Sequence, residues 1–204
     1  MAEYTAIYDA GESVVNYLKS VMTPEPIAKK EHIGLCEPQS PEDYRLTVWI
    51  YSIEEEKNVG DGTLTGYYLD EENPKIERFA PMQLTLKMLI SSHSKAPAIQ
   101  KYADEYRIIG RAVQVMRDIP TIPAKFLNGT LAKSRIPVTT ALLKLSTDEM
   151  FRIWNNTGMT IPPSFGIEVS QIFIDSERTR TASPRITEAD FDVRQGVDPN
   201  RFYR

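Results

Sequence analysis

Between residues 5 and 22 the apolar side chains Ile7, Ala10, Val14, Leu18 and Val21 are spaced by three or four, and Glu12, Asn16, Lys19 and Ser20 lie off that stripe. This is the period of an amphipathic helix. Pro24 and Pro26 end it, because neither can extend the hydrogen-bond ladder. Residues 33–36 form a short apolar piece, readable as an edge strand or a packed loop. Residues 45–53 (RLTVWIYSI) are β-branched and aromatic, with Leu46, Val48 and Ile50 on one face and Thr47, Trp49, Tyr51 and Ile53 on the other. Both faces are apolar, so a central strand covered on both sides is expected.

The pattern then lapses. Residues 54–81 are acid-rich, carry Gly60, Gly62, Gly66 and Pro74, and predict a long loop with a small hairpin near 64–69. A second strand follows over 83–91, with Leu84, Leu86, Met88 and Ile90 on one side. Pro97 opens the strongest helical pattern, which runs to Arg117 on a stripe of Ile99, Tyr102, Ala103, Tyr106, Ile109, Val113 and Met116. Residues 139–145 predict a third strand. Ser146-Thr147-Asp148-Glu149 is a capping box opening a short helix with Met150, Phe151 and Trp154. In a fourth strand, 165–174, Phe165, Ile167, Val169 and Phe173 alternate with Gly166, Glu168, Ser170, Ile172 and Ile174, and Gln171 interrupts the run. From residue 175 the periodicity dissolves. The sum is an α/β (α+β) domain over residues 1–174, followed by a C-terminal tail over 175–204. The domain has about four strands in a mixed sheet, roughly three flanking helices and one long loop.

Composition narrows the function classes. With 204 residues, 41% hydrophobic and 25% charged, the chain can bury one ordinary core. Its 24 lysines and arginines stand against 28 acids, a net charge of −4, which disfavours electrostatic binding of nucleic acid. Cys36 is the single cysteine, so no internal disulfide is possible. The N-terminus has no basic stretch ahead of an apolar run, and no segment approaches the roughly 20 apolar residues of a membrane span. Neither a secretory signal nor a span is expected.

Candidate chemistry is sparse. His32 and His93 stand far apart without Cys or Asp at ligand spacing, and read as surface histidines. Glu54-Glu55-Glu56 reads as a solvated loop entrance and lacks the spacing of a calcium loop. Gly60-Asp61-Gly62 has no phosphate-holding continuation, and neither Ser164 nor Cys36 has an activating neighbour in sequence. No catalytic residue, metal ligand or cofactor is expected.

Several segments, taken in order, carry a family pattern. They are the N-terminal helix, Ser40-Pro41-Glu42-Asp43 leading into RLTVWIYSI, and Ala80-Pro81 before MQLTLKMLIS. Then come Ile109-Gly110-Arg111-Ala112-Val113-Gln114-Val115-Met116 with Asp118-Ile119-Pro120, then LLKLSTDEMFRIW, and finally Pro162-Pro163-Ser164-Phe165. The collinear set resembles the cap, or tail-terminator, proteins of phage-tail-like contractile injection systems, of which the Photorhabdus virulence cassette and the antifeeding prophage are type cases. The resemblance spans about residues 6–174. It departs at Ile167, where many members carry an aromatic residue, and the acid-rich stretch 54–81 does not map onto the pattern.

The resemblance implies a structural part without catalysis: a homohexameric ring that ends inner-tube growth and contacts the last sheath layer. Its partners are then itself, the tube protein and the sheath protein. Synthesis and assembly would be cytoplasmic, in a particle either released or membrane-anchored. In the tail, Arg178, Arg180, Arg185 and Arg194 interleave with Phe191, Phe202 and Tyr203, the residue types enriched at interface anchors. They are the candidates for an inter-subunit arm, although the composition equally allows an unstructured tail. The alternative function is a small cytosolic adaptor or assembly-chaperone-like binding module, because a scaffold does not fix a function.

Overall fold

A computed structural model describes residues 3–56, 66–69, 73, 75–134, 136–154 and 161–182. In chain order the elements are α1 (Ala6–Val21), β1 (Ile33–Leu35), β2 (Leu46–Glu55), β3 (Tyr67–Leu69), β4 (Ile76–Phe79) and β5 (Met82–Ser92). Then follow α2 (Ala98–Asp118), α3 (Gly129–Lys133), β6 (Thr139–Leu143), α4 (Thr147–Trp154), β7 (Ser164–Ile174) and β8 (Thr179–Thr181). The long strands form one mixed sheet in the order β1-β2-β5-β7-β6, with β1 parallel to β2 and the other pairs antiparallel. A second sheet, β3-β4-β8, lies off the start of β5. The four expected strands are present, and residues 33–36 supply the fifth, as an edge.

Alternation in β5 decides which face is core. Leu84, Leu86, Met88 and Ile90 join the apolar cluster with Ala10, Val14 and Leu18 of α1 and Ile108, Ala112 and Val115 of α2. The intervening positions carry polar bonds: the Glu56 carboxylate accepts from Thr85, and Lys87 pairs with Glu54 at 2.5 Å. Glu54 and Glu56 are therefore engaged at the sheet edge. The expectation that β2 is covered on both sides holds only for its first three residues. Burial falls along the strand, and Ile53, near its end, is exposed.

The acid-rich stretch is not simply a loop. Tyr67–Leu69 and Ile76–Phe79 pair with each other, placing the hairpin partner beyond the expected 64–69, and Thr179–Thr181 adds the third strand. Residues 57–65, 70–72 and 74 lie outside the described residues.

β7 differs from its expected alternation in one place. Leu84 faces Ile172 and Leu86 faces Val169, so Ser170 and Gln171 together oppose Thr85. Gln171 takes a positive φ of 66°, the signature of a β-bulge. The extra residue puts Ile172, not Phe173, in line with Ile167 and Val169, and those three are fully buried.

α1 is fastened to α3 by a buried carboxylate. Asp9 accepts from the Thr130 N–H and hydroxyl, both at 2.9 Å, and from the Thr5 hydroxyl at 3.1 Å. It thereby satisfies backbone at the start of α3, which its own N-cap Asn128 does not. Gly129 has φ +49° and lies so close that a Cβ there would run into the Asp9 carboxylate.

Candidate assembly surfaces

Two surfaces stand out, the small sheet beyond the Met82 end of β5 and the outward face of α2, whose first turn lies beside Ser94. The first is the small sheet. Backbone bonds hold β8 to the hairpin, from the Phe79 N–H to the Arg178 carbonyl (2.9 Å) and from the Ala182 N–H to the Lys75 carbonyl (2.8 Å). The side chains interleave above them. The Arg178 guanidinium sits 4.7 Å from the Phe79 ring centre and that of Arg180 4.0 Å from the Tyr67 ring centre, and the two rings meet edge-on at 5.3 Å. Arg180 Nε also donates to Glu77 at 2.6 Å. Cation–π contact and a hydrogen-bonded ion pair thus dock a three-residue strand with no apolar side chain of its own. Tyr68 and Leu69 remain exposed beside this ladder.

Of the seven interface candidates, the structure places Arg178 and Arg180 here, together, on their own hairpin. Arg185, Phe191, Arg194, Phe202 and Tyr203 lie outside the described residues.

The second surface is the outward face of α2, and it corrects the expected stripe. Ile99, Tyr102 and Tyr106, read from the sequence as core, are 97%, 55% and 62% exposed, whereas Glu105, Ile108, Ala112, Val115 and Met116 are buried. The cause is polar. Glu105 accepts from the Ser94 N–H at 3.1 Å, and the Asp104 carboxylate pairs with Arg45 and accepts from the Ser94 hydroxyl. These bonds fix the first turns of α2 to the end of β5, and at 100° per residue they rotate the Ile99–Tyr102–Tyr106 edge to the outside. Lys101, Arg107 and Arg111 are exposed on the same helix.

Between α2, residues 38–41 and residues 161–162 runs a cleft of about 230 Å³, walled by Pro38, Pro41, Tyr102, Trp154 and Pro162. His93 lines it and is not the surface histidine expected. Its Nε2 lies 3.0 Å from Thr47 Oγ1, and burial, with the nearby Lys101 ammonium, pushes its imidazole down from 6.5 to about 4. It is therefore neutral at pH 7. Burial, reinforced by Glu42 and Glu37, pushes the Cys36 thiol up, which keeps it protonated. Ser164 is held by the Ser91 hydroxyl at 2.7 Å and by donation to the Pro162 carbonyl at 2.9 Å. Among the described residues no group of three or more His, Cys, Asp or Glu side chains is placed to hold a metal ion, and no helix is long and apolar enough to cross a membrane.

No curated protein sequence matches the chain. Among solved structures, the sheath/tube terminator of PVC, an extracellular contractile injection system, in its extended state, matches with a TM-score of 0.62 at 14% identity, over 97% of this chain and 66% of that one. The anti-feeding prophage cap, the AFP tube terminating cap, matches with a TM-score of 0.51 at 14% identity, over 88% of this chain and 58% of that one. The chain thus spans less than two thirds of either protein, and at this identity the likeness is one of fold. The family model of the Pvc16 N-terminal domain matches residues 10–188, most of the sequence, and the chain belongs to that family.

Proposed function

We propose that this chain is a structural cap, a tube and sheath terminator of a contractile injection particle, acting by assembly and without catalysis. The observation that carries the reading is the family match over residues 10–188. The fold shared with a sheath/tube terminator over 97% of the chain supports it. The physical features are compatible with a ring of like subunits. Such a ring closes through heterologous contacts, each copy offering two different faces. The small sheet and the α2 face are two different surfaces of this kind. Each interface needs about 1,000 Å² or more of buried area, which a 204-residue domain reaches more easily with an arm.

In this reading the subunits form a homohexamer, and the ring touches the last layers of tube and sheath. The hairpin β3–β4 faces one of them. Arg178 and Arg180 hold the root of the arm, and Arg185, Phe191, Arg194, Phe202 and Tyr203 belong to the part that crosses to a neighbour. The particle assembles in the cytoplasm.

Immunogold labelling of an epitope-tagged chain on purified particles tests the reading. Label confined to the particle end away from the baseplate, in a fixed small copy number, is the expected result. Absence of the chain from purified particles would overturn it and favour the adaptor alternative.

A further inference from the structure

A sheet edge whose backbone groups are unpaired is a template for another strand. The main sheet ends on β1 and β6, and the small sheet on β3 and β8. β1 is closed off, since Ile33 and Gly34 are buried and the Tyr44 ring occupies the space a Cβ on Gly34 would need. β8 offers only threonine and arginine side chains. β3 and β6 are apolar and exposed, with Tyr68 and Leu69 at 41% and 40% and Leu142 at 39%.

The ladders fix which groups point outward. On β6 the Thr140 N–H turns away from β7 and donates to the Pro120 carbonyl, and the Val138 carbonyl accepts from the Ile122 N–H, both at 2.9 Å. Outward groups recur at every second residue of an antiparallel strand. Leu142 and Lys144 therefore present theirs on the same side, beyond the stretch that residues 120–122 cover. On β3 the Ala80 N–H donates to the Gly66 carbonyl at 2.8 Å, so Gly66 and Tyr68 bond toward β4. Tyr67 and Leu69 turn their N–H and C=O groups the other way. Among the described residues no backbone group meets Leu142, Lys144, Tyr67 or Leu69 on that outward side.

The two open edges fit each other. Each is a short stretch of free ladder carrying apolar side chains, and the charges that follow them are opposite. Asp70-Glu71-Glu72 comes after β3 in sequence, and Lys144 comes after β6. A parallel alignment with Tyr68 beside Leu142 brings those unlike charges to the same end. Within one chain the two edges belong to different sheets and do not pair, so the strand that fits each comes from another copy.

We propose that β3 of one subunit pairs in parallel with β6 of the next, joining the small sheet of each copy to the main sheet of its neighbour. The Leu142 N–H donates to the Tyr67 carbonyl, the Leu69 N–H to the Leu142 carbonyl and the Lys144 N–H to the Leu69 carbonyl. The contact sets one edge against a different one, and in a closed ring no edge of either kind is left over. The proposal rests on the ring reading above and names a contact within it, and the faces of the hairpin stay available to tube or sheath.

Proline at an outward-facing position of an edge strand removes a donor without touching the ladder behind it. Leu142→Pro disables β6 and Leu69→Pro disables β3, each in the full chain. Alone, each variant should stay monomeric in sedimentation velocity at concentrations where the unaltered chain assembles. Mixed one to one, with one variant isotope-labelled, they should form a mixed dimer in native mass spectrometry and nothing larger. The β3 edge of the Leu142→Pro chain then meets the intact β6 edge of the Leu69→Pro chain, and the remaining edges are blocked. Rings in either variant, dimers of one variant alone, a mixture that stays monomeric, or an unaltered chain that never self-associates would each overturn the proposal. If circular dichroism finds a variant unfolded, amide hydrogen exchange in the unaltered chain decides. The Leu69, Leu142 and Lys144 amides should slow at least about tenfold on assembly, and unchanged rates would overturn the pairing. The terminator reading fails separately, on particle length: rings of both proline variants on particles of normal length would remove the edge contact alone.

Discussion

Replacing Asp9 by alanine tests whether the α1–α3 fastening is structural in the way its geometry implies. Asp9 is 4% exposed, and Thr130, which donates to it twice, is 6% exposed. Removing the carboxylate strands a backbone N–H and a hydroxyl, each costing about 1–3 kcal/mol when buried without a partner. A water entering the vacated polar space recovers part of this. The net expectation is about 3 kcal/mol, which for a chain of this size lowers the melting temperature by roughly 6–12 °C. Urea unfolding followed by tryptophan fluorescence and circular dichroism measures it, with the slope against urea unchanged if the transition stays two-state. Gly129 supplies an internal control. Gly129→Ala costs about 1 kcal/mol for the left-handed backbone plus the displacement of the carboxylate. In the Asp9→Ala background the second part vanishes. The pair should therefore be less than additive by about 1 kcal/mol or more. A cost below about 1 kcal/mol for Asp9→Ala, or strict additivity with Gly129→Ala, would mean that the carboxylate does not fasten α1 to α3.

Three further outcomes are expected. His93 binds a proton in the unfolded chain near pH 6.5 but in the folded chain only near 4, so its contribution to stability is complete above 6.5 and is lost as pH falls between the two values. His93→Gln should flatten the pH–stability curve in that window by no more than about 2 kcal/mol, allowing for residual solvent contact. Asp43 and Glu54, held low by hydrogen bonds from Lys95 and Lys87, weaken the fold only below the ordinary carboxylate range. In the second case, the bulge at Gln171 makes Ile172→Ala cost about 3 kcal/mol in urea unfolding, well above Phe173→Ala; the reverse order would mean the expected alternation runs through unbroken. Third, truncation after Ala182 keeps β8 and should leave the melting temperature within about 2 °C while weakening self-association in sedimentation; an unaltered oligomer would reject the arm.

The long elements were legible because period and burial agree in them. α1, β2, β5, α2 and β7 all lie where the apolar spacing puts them, within a residue or two. What periodicity does not decide is which of two apolar edges turns inward. In α2 the edge with the larger side chains, Ile99, Tyr102 and Tyr106, is outside, because Asp104 and Glu105 find partners at Arg45 and Ser94. Those bonds join residues 10 to 59 positions apart along the chain and leave no local trace. The bulge at Gln171 was visible as an interruption, but the resulting shift of Ile172 depends on Thr85 across the ladder. β8 reads Thr-Arg-Thr and owes its place to Phe79, Tyr67 and Glu77 more than a hundred residues earlier in part, at Glu77 a separation of 103. The same mistaken edge hid the α2 surface: its aromatic stripe was seen and assigned to the core.

Electron microscopy of particles from a strain lacking this gene is the decisive experiment on the proposed role of the chain in ending tube and sheath growth. Tubes and sheaths of uncontrolled length, or blunt ends without cap density, restored to normal by the wild-type gene, are the expected result. Capped particles of normal length from that strain would contradict it.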